Sequence, residues 1–228
     1  MNTATHTIAI SKEAVAGMPT VSFPGGIGRI TVVDTPEMAR MALHELTRAH
    51  TVGFDTETRP SFHRGRTHGV ALMQLSTEDH CFLFRINILG IPEALKTFLE
   101  DPTIIKIGLS VHDDFAVMRR LSPDLEPQGF IDLQEYAKYF NINDISLQKV
   151  YAIVFGGKIS KAQRLTNWEA EHLSEAQQEY AAIDAWACLR IYRKLRSGGF
   201  VPDESPYIVT RESLLPQPHP AEATLHEV

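Results

Sequence analysis

Gly53-Phe54-Asp55-Thr56-Glu57-Thr58-Arg59 is the stretch on which the reading of this chain turns. Together with Thr51 and Val52 it has the composition of a β-strand, in which residues i and i+2 project from the same face. Asp55 and Glu57 therefore stand side by side at the end of an otherwise apolar strand. Two anions so placed repel unless a cation joins them, and a hard divalent ion such as Mg²⁺, completed by water and phosphate oxygens, is the natural one. A strand end entering solvent fits the same pair, because a lone Asp-x-Glu also occurs by chance.

Outward from this strand the pattern alternates in the α/β manner. Upstream, the β-branched run Ile30-Thr31-Val32-Val33 is followed by Thr35-Pro36, a helix N-cap with proline in the first turn, and by Met38, Met41, Ala42 and Leu46 at helical spacing. Downstream, Gly69 to Leu75 and His80 to Phe84 read as a hairpin around Thr77-Glu78-Asp79, which makes an antiparallel portion of three consecutive strands. Then come a helix near 92–99, a strand at 104–108, a helix at 111–121, a short strand at Phe130-Ile131 and further helices. The expected architecture is α/β: one mixed sheet flanked by helices.

Two further segments place acids beside helix starts. Lys106-Ile107-Gly108-Leu109-Ser110-Val111-His112-Asp113-Asp114-Phe115 is a strand ending at glycine and running into a helix, with Asp113 and Asp114 in the first turn, where the helix dipole alone already favours acids. Leu173-Ser174-Glu175-Ala176-Gln177-Gln178-Glu179-Tyr180-Ala181-Ala182-Ile183-Asp184-Ala185-Trp186 opens with a capping-box pattern at Ser174 and Gln177 and then carries Tyr180 and Asp184 on one helix face. Asp184 stands among apolar neighbours, so its carboxylate needs a partner: a neighbouring side chain or a metal.

Taken together, Asp-x-Glu on a strand, an aspartate about 57 residues on at a helix start, and Tyr-x-x-x-Asp in a late helix resemble the DEDD superfamily of 3′–5′ exonucleases in its tyrosine-bearing subgroup. The branch it most resembles is that of ribonuclease D and the Werner exonuclease. The resemblance spans roughly residues 30–197, and the stretch from Ile159-Ser160-Lys161 to Thr166-Asn167-Trp168 shares it. It implies an RNase H-like sheet and metal-dependent removal of nucleotides from the 3′ end of single-stranded DNA or RNA. It also implies two divalent ions, Mg²⁺ or Mn²⁺, with Asp55, Glu57, Asp114 and Asp184 as the carboxylates and Tyr180 as the accessory hydroxyl. Asp114 is preferred to Asp113 because the family aspartate falls eight residues after the strand lysine, here Lys106. By the family allocation, Asp55 bridges both ions, Glu57 and Asp184 complete the one that activates water, and Asp114 reaches the other through water. Leu109 departs from the family, standing where bacterial ribonuclease D tends to carry histidine, and no helical C-terminal nucleic-acid-binding domain is legible.

A substrate strand needs positive charge and stacking surfaces. Arg59, His63, Arg64, Arg66 and His68 form one dense basic loop, and Lys158, Lys161 and Arg164 a second cluster. Arg59, Arg64, Arg66, Lys158, Lys161 and Arg164 are the candidate phosphate contacts, against the alternative of solvated loops. Phe62 and Phe155 are candidate base platforms or ordinary core, and Trp168 and Trp186 are packing residues. The competing function class is a nucleic-acid-binding or scaffolding module that keeps this fold with weak or no activity.

At 228 residues, 43% apolar and 22% charged, the chain has the balance of a folded globular protein. It reads as a leader at 1–28, one domain at 29–200 and a Pro-rich acidic tail at 201–228, pinned near Tyr207-Ile208-Val209. Two cysteines, Cys81 and Cys188, make no disulfide framework, so a reducing cytoplasm is expected, and nothing in the sequence targets a membrane. The net charge of −6 argues at first against nucleic acid. The tail, however, holds five acids and one arginine, leaving 23 acids and 21 bases in residues 1–200, and two bound divalent ions would turn that balance positive. Weak grip on phosphate away from the site implies salt-sensitive, distributive action or a partner that delivers substrate.

Overall fold

The computed structural model describes residues 6–60 and 68–210. Its strands are β1 (His6–Ile8), β2 (Ile30–Val33), β3 (Thr51–Thr58), β4 (Val70–Ser76), β5 (Cys81–Phe84), β6 (Ile105–Gly108), β7 (Phe130–Asp132) and β8 (Ile208–Thr210). Its helices are α1 (Lys12–Ala16), α2 (Pro36–Ala49), α3 (Ile86–Leu89), α4 (Glu93–Glu100), α5 (Val111–Met118), α6 (Leu133–Lys138), α7 (Leu147–Phe155) and α8 (Glu175–Arg196). Six strands form one mixed sheet in the order β2-β5-β4-β3-β6-β7. β3, β4 and β5 are antiparallel neighbours, whereas β2 joins β5, β6 joins β3 and β7 joins β6 in parallel, so β4 alone runs against the rest.

Alternation along the strands builds two cores. Phe54, Met73 and Leu75 face the layer of α2, α4 and α5, while Ala71, Leu83 and Ile107 face that of α6, α7 and α8. β3 lies inside the sheet, between β4 and β6, with its last four residues half-buried. That is why an apolar strand can end in Asp55 and Glu57 without exposing them fully to solvent.

Of residues 1–28, which read from sequence as a leader, the described part from residue 6 packs on this body. Ile8 is fully buried, Ile10, Val15 and Phe23 nearly so, all in the core beneath α7 and α8. β1 pairs with β8 in antiparallel register, His6 opposite Thr210 and Ile8 opposite Ile208, which ties down residues 208–210, next to the Tyr207-Ile208-Val209 stretch where the tail was expected to be pinned. The segment shows no periodicity because it contributes isolated apolar side chains rather than one long amphipathic element. The helix expected over 111–121 ends at Met118 and continues as a turn, and the short α3 has no counterpart in the sequence reading.

Candidate active site

Three elements bring the acids together. β3 supplies Asp55 and Glu57 on the face that meets α8. Gly53, two residues earlier on that face, lets the helix approach: a Cβ there would stand 1.8 Å from the Ala185 carbonyl oxygen. α8 is started by Ser174, whose hydroxyl accepts from the Gln177 N–H (3.2 Å) while the Gln177 amide oxygen accepts from the Ser174 N–H (3.1 Å). The Gln177 amide nitrogen also donates to Thr166 Oγ1 (3.0 Å) and the Asn167 carbonyl (3.3 Å), fastening the preceding loop to the helix. α8 then presents Asp184 to the sheet, 9% exposed.

Asp55, Glu57 and Asp184 each place one carboxylate oxygen so that the three lie within 4.8 Å of one another. Asp114 stays outside that triad. α5 begins at Ser110 in the left-handed region (φ 59°), and its first N–H groups are held by the Asp132 carboxylate, which accepts from Ser110 and Val111 at 3.2 Å each. This sets Asp114, half-buried, to accept from the Thr56 hydroxyl between the two acids of β3, while Asp113 and His112 face solvent. Tyr180 lies one turn before Asp184 with the fully buried Trp168 behind it, ring centroids 5.9 Å apart.

The electrostatics follow from gathering anions in a poorly solvated place. Burial first, then Asp184, Asp114 and Glu57, hold the Asp55 carboxyl well above the carboxylate range. Burial and Asp184 push Glu57 up to about 8 against the pull of Arg164. Asp184 rises to about 7 by burial, tempered by the Tyr180 hydroxyl and Lys161, and Asp114 to about 6 by burial, tempered by its bond from Thr56. The Tyr180 hydroxyl is raised further above its ordinary 10 by burial and by Asp184, Glu57 and Asp55. A cluster of carboxylate oxygens that resists carrying its full charge is the donor set a hard divalent cation fits.

Residues 30–198 match the sequence pattern of a 3′–5′ exonuclease family. The chain belongs to that 3′–5′ exonuclease family. Among its relatives, the bifunctional 3′–5′ exonuclease/ATP-dependent helicase WRN of Mus musculus is 32% identical over 190 residues, covering 80% of this chain and 13% of that protein. Ribonuclease D of Escherichia coli K12 is 34% identical over 170 residues, covering 71% of this chain and 43% of the relative. The chain thus spans less than half the length of either. The fold agrees with the crystal structure of the Aedes aegypti Nibbler EXO domain (TM-score 0.66, 22% identity, 78% of this chain and 93% of that one). It agrees also with that of E. coli RNase D (TM-score 0.65, 27% identity, 74% and 44%).

The basic candidates are distributed unevenly around the carboxylate cluster. Lys161 and Arg164 line the same pocket as Asp55, Glu57, Tyr180 and Asp184. Lys158 turns away from it, its ammonium donating to the Ala16 carbonyl at 2.9 Å. Arg59 is engaged by Glu169 at 3.2 Å, with His68 on the other oxygen of that carboxylate at 3.9 Å. Phe62, His63, Arg64 and Arg66 lie outside the described residues. Phe155 is no open platform: it is half-buried, 4.8 Å from the Tyr151 ring, and the Arg190 guanidinium sits 4.6 Å from its centroid.

Gln74 escaped the sequence reading. It pairs directly across from Asp55 in the sheet and is fully buried, with neither amide atom hydrogen-bonded. An amide in the middle of the run Val70–Ser76 is the signal that could have flagged it, since a polar side chain inside a fully apolar strand needs a reason.

Proposed function

We propose that this chain is a metal-dependent 3′–5′ exonuclease that hydrolyses phosphodiester bonds from the 3′ end of single-stranded DNA or RNA with two divalent cations, Mg²⁺ or Mn²⁺. The observation that carries the reading is the triad of Asp55, Glu57 and Asp184, which shares a pocket with Tyr180 and two cationic side chains. RNA is supported by E. coli RNase D, described as an exoribonuclease involved in structured RNA processing.

Asp55, Glu57 and Asp184 would hold one cation, and Asp55 with Asp114 the other. Bound there, the cations supply charge neutralisation at the phosphate and a lowered pKa for water. The remaining work falls to the chain. Lys161 and Arg164, which line the pocket, bind the phosphate. Tyr180 stays protonated at neutral pH, since its hydroxyl is raised above 10, so it orients water as a hydrogen-bond donor and acceptor and does not remove the proton. Cys81 and Cys188, free and buried, suit a reducing cytoplasm.

The test is a gel with 3′- and 5′-labelled single-stranded DNA and RNA in Mg²⁺, Mn²⁺ or EDTA. Metal-dependent shortening from the 3′ end is expected, and the two substrates decide between DNA and RNA. Its absence under every condition would replace the enzyme with a binding module. In the same assay Tyr180→Phe should cut turnover by about a hundredfold, the cost of losing orientation, with Mn²⁺ affinity unchanged. Loss of both together would remove the division of roles.

A further inference from the structure

Among the described residues, two cavities adjoin the carboxylate pocket and share lining residues with it, Ile159, Ser160 and Tyr180 in one case and Ser146, Gln148 and Lys161 in the other. The first, about 250 Å³, is lined by Thr20, Ser22, Gln163 and Tyr180 and has Glu179 as its single charged group. The second, about 580 Å³, runs between α1, residues 144–149 and residues 158–161, and carries Lys12, Lys149, Lys158 and Lys161 against one acid, Asp144. Ser146, Gln148 and Lys161 line both this groove and the carboxylate pocket, so the two adjoin.

We propose that the lysine groove is the track for the upstream part of the substrate strand, holding the phosphates on the 5′ side of the bond to be cut. This rests on the exonuclease reading of the carboxylate site. A strand whose 3′ end lies among the carboxylates must leave them carrying one anion per nucleotide, and of these two cavities among the described residues the second offers a matching row of cations.

The groove is built rather than incidental. Its outer wall is the amino-terminal segment, held against residue 158 by backbone bonds from the Lys158 N–H to the Pro19 carbonyl (2.8 Å) and from the Val21 N–H to the Lys158 carbonyl (3.0 Å). Lys158 spends one of its three donors on the Ala16 carbonyl, which fixes the ammonium and leaves two donors to spare. Lys149 shares Asp144 at 2.7 Å. Lys12 and Lys161 are exposed, and among the described residues neither they nor Lys158 form an ion pair. Ile145, 68% exposed on the groove wall, adds an apolar surface for a sugar or base.

The test compares binding of a fluorescent single-stranded 12-mer and a dinucleotide in EDTA, by anisotropy across a salt series. Lys12→Glu, a change on an exposed side chain, and the double variant Lys12→Gln/Lys149→Gln are the probes. The double variant should weaken 12-mer binding by about tenfold or more and flatten the plot of log affinity against log salt by about 1.4, from about 0.7 per lost phosphate contact. Lys12→Glu should weaken it likewise, Lys12→Arg should restore it, and dinucleotide binding should not change. Wild-type affinity for the 12-mer in both probes, or equal losses for 12-mer and dinucleotide, would overturn the groove. If the wild-type chain shortens the strand but the variants bind it normally, only the groove fails. If the wild-type chain binds but shows no metal-dependent cleavage, the exonuclease reading fails instead.

Discussion

Asp55, Glu57, Asp184 and Asp114 are held where their charge is disfavoured, and that has a measurable consequence in the metal-free protein. A carboxyl raised in the folded state binds more protons there than in the unfolded chain, so stability falls as pH rises between the two values. The unfolded references are 3.8 for aspartate and 4.5 for glutamate, and the folded values reach about 8 at Glu57 and about 7 at Asp184. The loss is therefore absent below about pH 4 and grows up to about pH 8 as Asp114, Asp184 and Glu57 ionise in turn, with Asp55, held well above the carboxylate range, adding to it in the same direction. Lys106, buried and lowered to about 8, has the opposite effect only above that window. In EDTA the thermal midpoint should fall from pH 5 to pH 8, and saturating Mg²⁺ should flatten the slope; a flat or rising midpoint without metal would contradict the electrostatics. At this scale the sequence was informative where a period applied. Asp55 with Glu57 follows from alternation and Tyr180 with Asp184 from the helical turn, whereas Gln74 was hidden because cross-strand neighbours are not sequence neighbours.

The decisive contact between elements is that of β3 with α8. Gly53 has no side chain to hold the two apart, and the Ala185 carbonyl occupies the space a Cβ would need. Gly53→Ala should force α8 away from the sheet at a cost of about 3 kcal/mol, the upper range for overpacking a tight core, measured by urea denaturation. It should also lower Mn²⁺ affinity, because Asp184 travels with the helix. A variant with unchanged stability and affinity would show that the approach does not set the site. The start of α8 was legible in Ser174 and Gln177, since a capping box is a local pattern. The second task of Gln177, bonding to Thr166 and Asn167, was not, because those partners are brought to it by the fold.

For the whole molecule, the amino-terminal segment belongs to both the core and the proposed groove. Removing residues 1–17 would delete β1, the buried side chains of Ile8, Ile10 and Val15, and Lys12. At about 2–5 kcal/mol for each large buried aliphatic side chain, the thermal midpoint should drop by at least about 10 °C, read by calorimetry. An unchanged midpoint would make the segment the leader that its composition suggests.

What the sequence determined by itself is what short-range periodicity can encode: strands and helices from 30 to 196, the mixed sheet, and which side chains share a face within one element. Those patterns placed five candidate side chains on three segments. Only the tertiary structure decided which oxygens meet, leaving Asp55, Glu57 and Asp184 within 4.8 Å while Asp114 bonds to Thr56. It also decided that Arg59 is held by Glu169 and that lysines as far apart in sequence as 12 and 161 share one groove. Distances between segments are set by packing, by a missing Cβ at residue 53 and by two chain ends paired in a small sheet, and none of these is a repeat that a one-dimensional pattern can carry.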